Sequence, residues 1–261
     1  MPSQHGKVAK QPASKRILLT GINSLVGHSL FEQMRNDHIM INAEPKCKPH
    51  KFLATIIGKH EATVPVPSPH AITVIDVNKK PKTFAKGVLT SDIVVVDLLS
   101  GTDLEEAELI IKLLRQPANE ALYPAKQQTL ILISTALVWS KTPGADSTQY
   151  KDSDFLKRTP TPKFQHLKNL ENLAMSAAKS NKCLRVHIVC SGMPYGNGES
   201  NEVFYEFFRR AWLSLHPDLA ALPVIGKGCN YLPTIHVSDL ARCVRLLVEE
   251  TPGQKFCPPQ K

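Results

Sequence analysis

The stretch that most constrains this chain runs from Arg16 to Gly27, RILLTGINSLVG, where a short apolar run meets a glycine turn and an amphipathic pattern follows. Ile17, Leu18 and Leu19 read as a buried strand, Gly21 as a tight turn, Asn23 or Ser24 as a helix cap, and Val26, Leu30 and Met34 as one helical face. A strand, a glycine turn and a helix in immediate succession form the opening unit of a dinucleotide-binding fold. The remainder is therefore expected to alternate strands and helices around one parallel sheet.

At 261 residues and 42% hydrophobic, the chain can bury one sizeable core. Residues 1–14 carry Gln, Lys, Ser, Pro and Gly without apolar period and read as a disordered basic arm. Residues 15–261 are expected to form a single NAD(P)-binding-like Rossmann domain with small C-terminal cap elements. No run of about 18 apolar residues occurs and the N-terminus is polar, so neither a membrane span nor a secretory signal is expected. The six cysteines, Cys47, Cys183, Cys190, Cys229, Cys243 and Cys257, form no CxxC pair, and several sit in apolar patterns. That favours reduced, buried thiols in the cytoplasm over a disulfide framework.

The formal net charge of +9 invites an acidic partner. Much of the excess lies in Lys7, Lys10, Lys15 and Arg16 and in Lys79, Lys80, Lys82 and Lys86, without interleaved aromatics that would stack bases. These groups are either solvated faces or contacts to an acidic protein surface; nucleic acid is not expected.

Five further strands are expected. Phe52 to Gly58 is the second, Ile72 to Val77 the third, and Asp92 to Leu99, almost wholly apolar, a central parallel strand. Thr129 to Thr135 and Leu184 to Cys190 complete the set, with helices over Asp103 to Leu114 and Lys163 to Lys179. In nicotinamide-binding folds an acidic residue at the end of the second strand holds the ribose hydroxyl. Here Ile57, Gly58 and Lys59 stand there, so Lys59 suits a 2′-phosphate or is an ordinary exit-loop lysine.

Several of these segments resemble the extended short-chain dehydrogenases. Gly21, Ser24 and Gly27 take the three glycine positions of that superfamily's TGxxGxxG turn, with Ser24 replacing the middle glycine that lets backbone approach a pyrophosphate. Leu98 and Leu99 put bulk where small residues border the adenosine. Thr135 falls at the position of the catalytic hydroxyl and Trp139 at that of a common aromatic. Tyr195-Gly196 matches the end of RPxxxYG, with Cys190 and Ser191 in place of Arg-Pro, and Ile235 to Ala241 resembles FVHVDDLA, with His236 structural and Ser238 a cap.

The superfamily's catalytic helix carries Tyr-x-x-x-Lys, because one turn brings phenol and ammonium to a shared face and the ammonium lowers the phenol's pKa. This chain reads Phe164, Gln165, His166, Leu167, Lys168. A benzyl ring donates no proton, and loss of a general acid typically removes on the order of 10² to 10⁴ in rate. Tyr150, followed by Asp154, is not a substitute, and His166 points to another helical face. Thr135, Phe164 and Lys168 therefore read as vestigial positions, with Phe164 packing and Lys168 a surface or loop-contacting cation. The aromatic run Val203, Phe204, Phe207, Phe208, Ala211 and Trp212 reads as a core-facing stripe.

FFRRAW, ALPVIGKGCNYLPTIHVSDLA and LILISTALVWS resemble something narrower, the N-terminal dehydrogenase-like region of the adenylate kinase 7 family, over roughly residues 50–250. That family is ciliary and flagellar and carries a P-loop kinase domain after this region. No GxxxxGK[ST] occurs in these residues, so they hold no phosphoryl-transfer site. The sequence stops at Pro258-Pro259-Gln260-Lys261, where an extended dehydrogenase adds another strand, so the fold reads as C-terminally truncated or as part of a longer protein. The resemblance implies a non-catalytic structural or assembly component of the axoneme, associated with axonemal proteins or acidic tubulin surfaces, and with no cofactor and no metal. The alternative is an NADP-binding sensor or an atypical NADP-dependent reductase or epimerase.

Overall fold

The computed structural model describes residues 14–36, 50–58, 64–100, 103–116, 126–143, 152–197, 203–213, 222, 224, 226–228 and 232–250. The elements run β1 (Arg16–Leu19), α1 (Leu25–Asn36), β2 (Lys51–Ala54), β3 (Thr73–Val74), α2 (Pro81–Thr90), β4 (Ile93–Asp97), α3 (Leu104–Arg115) and β5 (Gln128–Thr135). They continue as α4 (Gln165–Ser180), β6 (Leu184–Ser191), β7 (Met193–Tyr195), α5 (Val203–Trp212), β8 (Thr234–His236) and α6 (Val237–Glu250).

Six parallel strands pair in the order β3-β2-β1-β4-β5-β6, with Ile17 opposite both Phe52 and Ile93 and Leu130 opposite both Val94 and Val186. This is the doubly wound order, in which β1 and β4 diverge at the topological switch point and ligands bind beyond the strands' C-terminal ends. β7 and β8 form a separate parallel pair.

Residues alternate across each strand, so a sheet covered on both faces builds two cores. Ile17, Leu19, Val95 and Ile131 join Leu30 and Phe31 of α1 and Leu240 and Val244 of α6. Leu18, Val94, Leu130 and Leu132 join Phe84 of α2, Ile110 and Leu114 of α3 and Leu170 and Ala174 of α4. The α/β architecture expected from sequence is present, with all six strands in place.

The differences are local. β2 and β3 are shorter than the apolar runs that suggested them, because chain beyond Ala54 leaves the ladder to bond the glycine turn. Helix α2 was not read from the sequence; its Lys82 and Lys86 are exposed, as expected of a solvated face, whereas Lys15, counted with them, is buried and donates its ammonium to the Val248 carbonyl. Thr161 makes no side-chain cap; a 3-10 turn at Pro162–Phe164 precedes α4, which starts at Gln165. Helix α6 starts at Val237, one residue before the expected cap Ser238, whose N–H donates to His236 Nδ1 at 3.3 Å. Its buried face is Leu240, Ala241, Val244 and Val248, leaving Cys243 and Leu246 outside.

The aromatic stripe of α5 is also corrected. Phe204 and Phe207 are half-buried, Phe204 stacking edge-on against Tyr195, but Phe208 is 59% and Trp212 87% exposed. A helix anchored at one end leaves the outer part of its stripe in water. Among the described cysteines, Cys190 is half-buried, Cys243 exposed and Cys183 disulfide-bonded, against the expectation of uniformly reduced, buried thiols. The arm at 1–13, Lys59, Tyr150, Cys47, Cys229 and Cys257 lie outside the described residues.

Candidate functional site

The glycine turn is shaped by backbone geometry. Gly21 has φ 60°, a left-handed conformation that glycine adopts without strain. A Cβ on Gly27 would stand 2.2 Å from the Gly21 carbonyl oxygen, so α1 packs onto the turn only because Gly27 lacks one. Both glycines are therefore required by the fold alone. Ser24, at the position where a pyrophosphate asks for glycine, is fully buried and caps α1: its hydroxyl accepts the Gly27 N–H at 2.9 Å. Asn23 instead pins the exit of β2, accepting the Ile57 N–H at 2.8 Å and donating to the Ile57 carbonyl at 3.1 Å.

The turn's donors are largely used within the protein. Ile22 N–H bonds the Thr55 carbonyl, Gly21 N–H the Thr55 hydroxyl and Ser24 N–H the Gly21 carbonyl. Every residue from Gly21 to Gly27 is buried. Behind them lies Asp97, wholly buried at the end of β4, its carboxyl 3.4 Å from the Ser24 hydroxyl and accepting the Leu99 N–H at 2.8 Å. Burial pushes the Asp97 carboxyl above its ordinary range, against the pull of those hydrogen bonds. A phosphate at this helix N-terminus would lie beside the Ser24 hydroxyl and the Asp97 carboxyl. Glu106 reaches from α3 to the same place, accepting the Thr55 hydroxyl at 2.6 Å, and burial lifts its pKa to about 6. Leu98 is buried and Leu99 packs on the α1 side of the sheet, so the bulk noted in the sequence belongs to the core.

The second half of the site lies at the ends of β5 and β6. Thr135 is buried and its hydroxyl accepts the Leu137 N–H at 3.2 Å, capping the 3-10 turn that carries Trp139. Phe164 stands at the start of α4 and packs against the α3–α4 core, while His166 is exposed. The Lys168 ammonium donates to the carbonyl oxygen of Arg158 in the preceding loop.

Three residues here were not singled out from sequence. The buried Arg158 guanidinium pairs with buried Glu171 of α4, and Glu171 accepts the hydroxyl of Ser134 on β5. Cys190, level with Ser134 across the ladder, lies 3.9 Å from Arg158, and burial pushes its thiol up. The available signal was Glu171 itself, a charge set among Leu167, Leu170 and Ala174 on the apolar face of α4, which demands a buried cation.

No group of three or more metal-ligating side chains occurs among the described residues, and no described helix is long and apolar enough to cross a membrane. The solved structures that this chain is similar to decide the fold. UDP-N-acetylglucosamine 4-epimerase from Bacillus cereus superposes with TM-score 0.61 at 14% identity, over 91% of this chain and 72% of that one. The enzyme from Methanobrevibacter ruminantium gives 0.64 at 15%, over 90% and 73%. The Thermus thermophilus UDP-glucose 4-epimerase, solved with NAD, gives 0.57 at 15%, over 88% and 73%.

The fold is that of the extended short-chain dehydrogenases.

Within that fold, sequence similarity runs to one named protein. Mouse adenylate kinase 7 is 30% identical over 131 residues, 49% of this chain and 20% of the mouse protein. Adenylate kinase 7 from Macaca fascicularis is 33% identical over 88 residues, 34% of this chain and 16% of its own length. The matched stretch thus spans about a fifth or less of these relatives. No family model matches the chain.

Proposed function

We propose that this chain is a non-catalytic Rossmann domain, a pseudoenzyme that serves as a structural or assembly component of the ciliary or flagellar axoneme. The reading rests on one observation above all. Phe164 occupies the place of the proton donor, one turn before a Lys168 whose ammonium is bonded to a loop carbonyl. With no phenol to deprotonate and no free ammonium beside it, the helix lacks acid-base chemistry for hydride transfer. The covered glycine turn and the buried Asp97 support the same reading for the cofactor.

The axonemal setting rests on the similarity to adenylate kinase 7 and on the resemblance of the sequence to that ciliary family. Microtubule surfaces are acidic, and a chain of net charge +9 suits them or other acidic axonemal proteins. The setting is the cytoplasmic interior of the cilium, without membrane or nucleic-acid contacts.

The second reading, an NADP-binding sensor or an atypical reductase or epimerase, draws on the solved neighbours, one of which was determined with NAD. Thermal unfolding separates the two. A ligand at about 100 times its Kd stabilises by roughly 2.7 kcal/mol, a rise of several degrees in Tm. We expect no shift with NADPH or NAD, which would sink the enzyme reading; a saturable shift with either overturns the cofactor-free reading, and a turnover assay then separates a nucleotide sensor from a reductase or epimerase.

A further inference from the structure

A guanidinium removed from water sits between α4 and the ends of β5 and β6. Arg158 Nη1 pairs with Glu171, and Nε donates to the Phe155 carbonyl at 2.7 Å. The guanidinium carbon lies 3.5 Å from the centre of the Phe155 ring and 5.6 Å from that of Trp139. Arg158 Nη2 is buried with no hydrogen-bond partner among the described residues. Glu171 is held in turn by Ser134, and the backbone of Arg158 engages Lys168.

Burying two ions costs several kcal/mol each before their attraction offsets it, so a loop that merely needed packing is better served by apolar side chains. This loop instead spends an arginine, and leaves one of its nitrogens unsatisfied. What the arrangement achieves is geometric. One residue fills the space at the ends of β5 and β6 with its side chain and draws away the helix cation with its carbonyl.

We propose that Arg158 is an internal latch: it fills the space at the C-terminal ends of β5 and β6 from within and holds the 152–158 turn onto α4, with Glu171 as its anchor. The proposal rests on the non-catalytic reading and deepens it by naming the side chain that fills this end of the sheet. Latched, the turn limits the access of small solutes to Trp139 and Cys190, each half-buried.

The test uses the full chain carrying Trp212→Phe, which leaves Trp139 as the remaining one of two tryptophans. Its fluorescence is quenched with acrylamide, a neutral solute indifferent to the charges being changed. Quenching is expected to be weak, and Arg158→Ala with Glu171→Gln, which leaves no ion buried alone, raises the quenching constant by about threefold or more while unfolding stays cooperative. Alkylation of Cys190, referenced to exposed Cys243, rises in parallel. Should the double variant not fold, Arg158→Lys, which keeps the charge and loses the planar stack, decides by the same two readings. Unchanged quenching in the folded variant, or a Trp139 already quenched like a free indole in the parent, overturns the latch. NADPH binding is read separately and bears on the non-catalytic reading.

Discussion

Lys168 donates its ammonium proton to the carbonyl of Arg158, in the loop leading into its own helix. The lysine of a Tyr-x-x-x-Lys pair acts by facing a phenol and a cofactor, and this one faces backbone. Restoring the phenol alone should therefore not restore the chemistry. In Phe164→Tyr, the added phenol is expected to titrate at about 10 or higher, its ordinary range. Tyrosinate absorbance measured against the parent checks this, and a phenol titrating near 7 would show that Lys168 is available after all.

The buried ion pair makes a sharp demand on stability. Glu171→Ala removes the anion and leaves Arg158 buried and alone, with an expected loss of about 3 to 5 kcal/mol. Urea unfolding gives the value. A loss below about 1 kcal/mol, the range of exposed pairs, would mean that the pair is hydrated in solution.

The glycine turn separates two kinds of requirement. Gly27→Ala drives a Cβ into the Gly21 carbonyl, a backbone atom that yields only if α1 moves, and should destabilise by about 3 kcal/mol. Ser24→Ala removes one cap and should lose about 1 kcal/mol. Both are read as urea midpoints at constant slope. The reverse ranking would contradict the packing described for this turn.

Glu106 carries a pH signature. Its folded pKa of about 6 lies above the ordinary value of 4.5, so the folded state holds the proton more tightly. Its contribution is most favourable below pH 4.5 and is lost as pH rises through 6, a difference of about 2 kcal/mol. Glu106→Gln, which still accepts the Thr55 hydroxyl, should flatten that dependence and be the more stable protein at pH 8. Asp97, raised by its own burial, remains in both and cancels in the comparison.

If the basic arm contributes to axonemal attachment, removing residues 1–13 and raising salt should each weaken retention on isolated axonemes, because exposed charge pairs are screened within about 8 Å at physiological ionic strength. Retention unchanged by both treatments would remove electrostatics from the account.

Much of the fold was legible because its signals are local. An apolar run that must be covered on both faces reads as a central parallel strand whatever surrounds it, and Ile93 to Asp97 did. Gly21 and Gly27 announced a strand, turn and helix through conformational needs internal to that segment. Phe164 stands four residues before Lys168 without a hydroxyl, a fact of residue type alone. The outer half of the α5 stripe failed for the opposite reason: periodicity says which residues share a face, and Phe208 and Trp212 share one that no described element covers. Ser238 failed as a cap because the helix already starts at Val237, and the His236 side chain, before it, accepts the Ser238 N–H.

The amino-acid order by itself determined the doubly wound sheet and the absence of a phenol one turn before Lys168, since both follow from residue type and short-range spacing. Only the tertiary structure decided that Ser24 turns inward to cap α1 before the Asp97 carboxyl and that Arg158 lies against Glu171 and Phe155 with its carbonyl on Lys168. Those contacts join groups that different strands and loops deliver to one end of the sheet, and the free energy of burying a charge depends on which partner arrives there.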